Sequence, residues 1–142
     1  MFPTQPAAVF VFIVRNDEHV LLLKHPERSE WSPIGGGVDA NETLLDAAFR
    51  ETAEEVGANV RARFLGVAHA WTYEYDATVG KMIDVAYVMA YEGGEVVPGD
   101  DMAGSKFRWW PLDDAPSLHI EIAEGTAWLL ARVARVYRTE TA

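Results

Sequence analysis

A glycine triplet followed by a helical stretch with three glutamates constrains this chain most. "WSPIGGGVDANE" contains Pro33 and Gly35–Gly37, which prevent a helix there and permit close backbone approach. From Thr43 to Val56 the pattern turns helical. At roughly 100° per residue, Leu45, Ala48, Phe49, Thr52 and Val56 share one arc, which is expected to face a core. Asn41 or Thr43 can cap the start, and Gly57 suits a left-handed stop. Glu51, Glu54 and Glu55 occupy a neighbouring arc along the edge of the apolar face, while Arg50 and Asp46 point toward solvent or a loop. Like charges at this spacing destabilise a helix by roughly 0.2–0.5 kcal/mol per pair. Their concentration beside a core calls for a positive partner.

A charge run is ordinarily a solvated face. Three features weigh against that reading here. The acids border the apolar arc instead of opposing it. The glycine loop can bring backbone carbonyls close to them. Glu42 and Arg50, of opposite charge, lie across the start and middle of the helix. Oxygen-only ligands at such an edge suit a hard divalent cation, Mg²⁺ above all, which commonly bridges one or two carboxylates to substrate phosphates. The chemistry that follows is attack of an activated water on a phosphate chain.

Around this segment, "AAVFVFIV" (Ala7–Val14) and "HVLLLKH" (His19–His25) read as paired strands separated by a polar turn. "VRARFLGVAHAWTYEYD" and "KMIDVAYVMAYEG" read as a hairpin joined near "ATVGK", and "KFRWWPL" as a strand stopping at Pro111. Ile122, Thr126, Leu129, Val133 and Val136 recur at helical spacing in a last helix, with arginines near its end where the dipole favours them. The order of strands, helix, strands, helix predicts an α+β or layered fold, with a mixed sheet between helices. The whole chain, 1–142, reads as one domain.

The net charge of −10 argues against a large nucleic-acid surface or an anionic-membrane footprint, either of which needs a basic face. The N-terminal apolar run is too short to span a bilayer and lacks the basic segment of a signal peptide. There are no cysteines, which excludes disulfides and thiolate metal sites and is compatible with a cytoplasmic setting.

"GGVDANETLLDAAFRETAEEVGA", Gly36 to Ala58, resembles the signature box of the Nudix hydrolases (MutT-like pyrophosphohydrolases). Gly36, Glu42, Arg50, Glu51, Glu54, Glu55 and Gly57 match it in type and spacing; Thr52 and Ala58 stand where the family usually has a larger aliphatic residue. The resemblance implies an α/β/α sandwich with a mixed central sheet. It also implies Mg²⁺- or Mn²⁺-dependent hydrolysis of a nucleoside diphosphate linked to another group. By resemblance, Glu51 and Glu55 are metal ligands, and Glu54 is a further ligand or the base that deprotonates the water. The Gly36 or Gly35 carbonyl completes the metal shell, and Arg50 pairs with Glu42 to hold loop on helix.

Outside the box, Asp100 and Asp101 are candidates for a further acid, against the plainer reading of a solvated loop. Lys24 is a candidate phosphate contact. Trp71, Tyr73 and Tyr75 alternate and so share a sheet face, where they either fill the core or stack on a base. Tyr75 stands near a tyrosine that the family's dinucleoside polyphosphate hydrolases often carry. No proline occurs between Ala58 and Val97, where the ADP-ribose hydrolases tend to have one. His25 and His69 read as structural or surface residues. Trp109 and Trp110 should face opposite sides of a strand, one in the core and the other toward a pocket or partner. The expected substrate is a small nucleotide, a nucleoside triphosphate or dinucleoside polyphosphate first. A nucleotide sugar or ADP-ribose is the alternative, and a non-catalytic nucleotide-binding module the rival from another class. A homodimer is compatible with this reading.

Overall fold

The computed structural model describes residues 2–114 and 125–142, without the Asp101 side chain. The elements run β1 (Ala7–Val14), β2 (His19–Lys24), β3 (Ile34–Gly37), α1 (Leu44–Val56), β4 (Arg61–Asp76), β5 (Gly80–Gly93), a 3-10 turn (Asp100–Met102), β6 (Lys106–Pro111) and α2 (Gly125–Thr141). Turn chemistry sets several boundaries. The Arg15–Glu18 turn leaves Glu18 at a φ of 60°. Asp76 accepts from the amides of Thr78 (2.9 Å) and Val79 (2.6 Å) at the β4–β5 hairpin.

The six strands form one mixed sheet in the order β4-β5-β1-β2-β6, with β3 also paired to β1. β1 runs parallel to β5 from Ala7↔Ile83 to Val14↔Ala90. Its other edge is divided: Ala8–Val11 pair with β3 and Val14 with Val20 of β2. Strand alternation sends side chains to two faces. Phe12, Val14, Leu22, Ala86 and Val88 meet Leu129, Leu130, Val133 and Tyr137 of α2. Val9, Val11, Ile13, Leu21 and Met89 meet Ala47, Ala48 and Val56 of α1. The result is the α+β sandwich expected, helix on each face of a mixed sheet. Each fully buried Leu, Ile or Phe contributes about 1.5–3 kcal/mol relative to exposure. Among the described residues no helix is long and apolar enough to cross a membrane.

Several local expectations are corrected. Phe49 is 42% exposed and Leu45 only half-buried, whereas Ala47 and Ala48 are fully buried. At about 100° per residue, the buried arc of α1 is turned by roughly 60° toward the glutamates. Glu51 and Glu55 therefore lie within the sheet-facing arc, not along its edge. The helix comes down over β3, whose glycines carry no side chains, so short alanines and polar carboxylates fit where a phenylalanine would not.

Thr43, not Asn41, caps α1. Its hydroxyl accepts from the Asp46 amide at 3.0 Å, and Asp46 folds back to accept from the Thr43 amide at 3.2 Å instead of pointing to solvent. Gly57 ends the helix at a φ of 98°, the positive value that a glycine stop supplies, but its ψ of 147° lies outside the left-handed helical region. A Cβ there would press on the Val97 carbonyl oxygen at 2.9 Å. In α2, Leu129 and Val133 are buried as expected, joined by Leu130, Ala134 and Tyr137, and Ile122 lies outside the described residues. Trp109 and Trp110 do face opposite sides, but both pack against a core cluster and neither lines the cavity described below.

Candidate active site

The glycine strand β3 carries the site. Its pairing with β1 is backbone only, so α1 can settle directly on it. The Glu51 carboxylate lies over the Cα of Gly36, in the space any Cβ at that position would fill. The Gly35 amide donates to Glu55 Oε2 at 2.9 Å. Glu54 sits beside these two on the outer side of the helix. The side chain of Glu51 is 12% exposed and that of Glu54 45%.

Arg50 ties the pieces together. Its Nε donates to Glu42 Oε2 at 2.6 Å and its Nη2 to Glu42 Oε1 at 2.8 Å, a bidentate grip. Nη2 also donates to the Gly37 carbonyl at 2.9 Å, and Nη1 donates to Glu51 Oε1 at 2.9 Å and Glu54 Oε2 at 3.3 Å. Asp39, whose amide donates to Glu42 at 2.9 Å, stands 3.6 Å from Arg50 through its own carboxylate. One guanidinium thus joins the glycine strand, the loop before the helix and the acids.

The electrostatics sort these acids. The Arg50 hydrogen bonds, with help from the Asp39 amide, hold the Glu42 carboxyl down at about 2. Burial pushes Glu51 up against the pull of Arg50. Burial drives Glu55 up to about 8; the Gly35 amide opposes this, and the charges of Glu51 and Glu54 add to it. Ionising Glu51 and Glu55 together is therefore costly, and a cation held between them would remove that cost. The donor set, carboxylate and carbonyl oxygen, fits a hard divalent ion. Among the described residues, no three acids already converge as a closed metal cage. Glu51 and Glu54 are turned toward Arg50, so a cation would have to compete with that guanidinium.

A cavity of about 680 Å³ opens beside the other side of the glycine strand. Gly35–Gly37 form one wall; Ala8 and Phe10 of β1, Tyr73 and Tyr75 of β4, and Met82 and Asp84 of β5 form others; Glu27–Glu30 form its rim. Phe10 stacks on Trp71 behind it, centroids 5.8 Å apart. The size suits a nucleotide-sized ligand. The glutamates of α1 do not line this cavity; they meet it only through the shared glycines.

The structure therefore brings Gly36, Glu42, Arg50, Glu51, Glu54 and Glu55 together and sets Tyr75 at the cavity. Tyr73 joins Tyr75 there, whereas Trp71 packs against the core. Lys24 is not brought in: it ends β2 opposite Lys106 and does not line the cavity. The 3-10 turn holding Asp100 and Asp101 adjoins α1, with Gly99 close against the Glu54 carbonyl, but the Asp101 side chain lies outside the described residues. His69 packs between Trp71 and Trp128, and His25 Nδ1 accepts from the Glu27 amide at 3.3 Å.

Sequence reasoning missed Asp84. It is 4% exposed, and burial raises its carboxyl to about 6. Its Oδ1 has no hydrogen-bond donor among the described residues. A signal was present: Asp84 heads the apolar run Val85–Ala90, in phase with Ala86, Val88 and Ala90 on one of its two buried faces.

A profile of the NUDIX domain matches residues 4–131. The NAD-capped RNA hydrolase NudC of Deinococcus radiodurans is 28% identical over 123 residues, which cover 83% of this chain and 41% of that protein. The chain thus spans about two fifths of the length of such curated relatives. Among solved structures, an ADP-ribose pyrophosphatase from Streptococcus suis is 26% identical with a TM-score of 0.68, covering 96% of this chain and 95% of that one. A NUDIX-family hydrolase from Clostridium perfringens reaches a TM-score of 0.73 at 19% identity, covering 96% and 99%, a likeness of fold.

Proposed function

This chain belongs to the NUDIX family, and from that premise we propose that it is a divalent-metal-dependent pyrophosphohydrolase acting on a nucleoside diphosphate linked to another group. The observation that carries the proposal is the glycine strand shared by two features. On one side it receives two half-buried carboxylates; on the other it walls a nucleotide-sized cavity.

Glu51 and Glu55 would hold the cation, with the Gly36 or Gly35 carbonyl and Glu54 as further candidates. A divalent ion bound there supplies Lewis acidity at the phosphate chain and favours ionisation of a nearby water. Arg50 keeps loop and helix in register by gripping Glu42 and the Gly37 carbonyl. The Gly35 amide fixes the direction of Glu55. Glu54, the most exposed of the three, would take a proton from the attacking water once it turns from Arg50. A carboxylate base in that role contributes roughly 10²–10⁴-fold. Attack at phosphorus forms one P–O bond and breaks the anhydride P–O bond, whose electron pair leaves with the departing phosphate. Tyr73 and Tyr75 at the cavity offer faces for a base, each stack worth ~1–3 kcal/mol.

Nucleoside triphosphates and dinucleoside polyphosphates remain first choices. The Streptococcus suis likeness, spanning nearly both chains, favours ADP-ribose or a nucleotide sugar as a second reading. The test is a product-resolved screen of these four classes with Mg²⁺ and Mn²⁺. Metal-dependent release of a nucleoside monophosphate, phosphate or pyrophosphate is expected. Binding without turnover of any of them would make the protein a nucleotide-binding module instead.

A further inference from the structure

We propose that Asp84 is the base-recognising residue of the cavity, and that it selects guanine by accepting hydrogen bonds from the ring N1–H and the exocyclic N2–H₂. The proposal rests on the cavity being the nucleotide pocket of the pyrophosphohydrolase described above.

Two observations carry it. First, Asp84 is a cavity-lining carboxylate, yet it is 4% exposed and its Oδ1 has no donor among the described residues. Buried polar groups are nearly always hydrogen-bonded, so an orphan beside a cavity is complementary to a donor brought by a ligand that the side chain turns to meet. Second, its cavity neighbours Phe10, Tyr73, Tyr75 and Met82 are aromatic or apolar, which suits the body of a planar heterocycle.

The chemistry of the acceptor narrows the ligand. An ionised carboxylate has two oxygens and no donor. Guanine presents two adjacent N–H donors on one edge, which fit a carboxylate in a fork. Adenine and cytosine pair an amino group with a ring-nitrogen acceptor, and that acceptor would face a carboxylate oxygen. Uracil places a carbonyl on either side of its single N–H. Each alternative thus leaves an acceptor opposed to an acceptor, and an unpaired or repelled group in a site built for hydrogen bonding is strongly disfavoured.

The cavity also gives this base a route to the acids. Gly35–Gly37 wall the cavity and lie beneath Glu51 and Glu55. A base seated on Asp84 would send its phosphates across that strand. Arg28 at the rim adds a cationic group on the same side.

The experiment uses the full chain and two independent readouts. Calorimetry without divalent metal measures binding of GMP, AMP, CMP, UMP and XMP to wild type and Asp84→Asn. Turnover with Mg²⁺ is then measured on GTP, ATP and XTP. Wild type is expected to bind GMP about 10- to 100-fold more tightly than the other common monophosphates, the scale of hydrogen bonds to a charged group. Asp84→Asn should lose most of that preference and gain XMP binding, because an amide can donate to the xanthine C2 carbonyl while accepting from N1–H. A residue serving only the strand would lower every nucleotide alike, and that result overturns the proposal. Indifference of wild type to the base overturns it as well, even without any variant. If GMP selection and its exchange for XMP hold but no nucleotide is hydrolysed, Asp84 keeps its role and the pyrophosphohydrolase reading falls. If hydrolysis proceeds with no guanine preference, the converse holds.

Discussion

Asp84→Asn in the ligand-free protein tests whether a charged group is held out of water at the cavity wall. Burial raises the Asp84 carboxyl from 3.8 to about 6. The folded protein therefore binds this proton more tightly than the unfolded chain. Below 3.8 both states are protonated and Asp84 contributes no pH dependence. From 3.8 to about 6 the unfolded chain ionises first, so stability falls as pH rises. Above about 6 the folded protein carries the whole penalty. Each tenfold change in proton affinity is worth 1.36 kcal/mol, so the full span is about 3 kcal/mol. Glu27, Arg28, Glu30, Tyr73 and Tyr75 are the other ionisable groups around the cavity, and the shift of Asp84 comes from burial rather than from their charges.

Asparagine has nearly the same shape and does not titrate. Its amide brings its own unmet donors, costing about 1–3 kcal/mol, so the absolute stability difference at a single pH does not diagnose the effect. The pH dependence of the difference does. Urea unfolding of both proteins at matched pH between about 4 and 7.5 should show the variant gaining on wild type by about 2.5 kcal/mol across the interval, most of it below pH 6. For a chain of this size that corresponds to a relative change in melting temperature of roughly 5–10 °C. Parallel curves would show that Asp84 ionises at its ordinary value and is solvated. The orphaned, desolvated carboxylate would then be wrong, and with it the structural basis for base selection.

Millimolar Mg²⁺ or Mn²⁺ should raise the melting temperature by relieving repulsion among Glu51, Glu54 and Glu55, and Glu55→Gln should weaken the rise; a melting temperature indifferent to both ions, with nucleotide present, removes the metal site as drawn. Arg50→Ala should lower both melting temperature and turnover, because the guanidinium joins Glu42, the Gly37 carbonyl, Glu51 and Glu54, and a variant that melts and reacts like wild type would show the pairing to be dispensable. Glu51→Gln and Glu55→Gln should raise the Mg²⁺ concentration for half-maximal rate, whereas Glu54→Gln should leave it nearly unchanged and lower kcat by roughly 10²-fold or more; metal rescue of Glu54→Gln alone would exchange the roles. Gly36→Ala should abolish turnover while circular dichroism stays native, since its Cβ would occupy the place of the Glu51 carboxylate, and an active Gly36→Ala enzyme would refute that contact.

Much of this fold and site is legible in the sequence. The strand pairs, the β4–β5 hairpin and both helices follow from period and turn residues, because those signals are local. The joining of β1 to β5 in parallel is not local, and nothing in either strand's own residues announces it. The acids of the box were legible through type and spacing. Lys24 illustrates the opposite case: a lysine near a strand end carries no record of which edge its strand will occupy, and pairing with β6 sets it away from the cavity.

The orientation of α1 shows why the rest was hidden. An arc drawn from hydropathy alone centres on Leu45, Phe49 and Val56 and leaves the glutamates at its border. That construction assumes the surface opposite is apolar and furnished with side chains. Here part of the opposite surface is Gly35–Gly37, bare backbone that offers an amide to Glu55 and a gap for Glu51. Hydrogen bonding and room decide the rotation, and Phe49 is left outside. The two halves of the motif are thus one physical statement: glycines on the strand are what permit carboxylates on the buried side of the helix. Asp84 follows the same logic across the sheet. A carboxylate on a buried strand face is tolerable where a cavity replaces the neighbouring side chains, and its inward phase among alanines and valines is the trace of that cavity in the sequence.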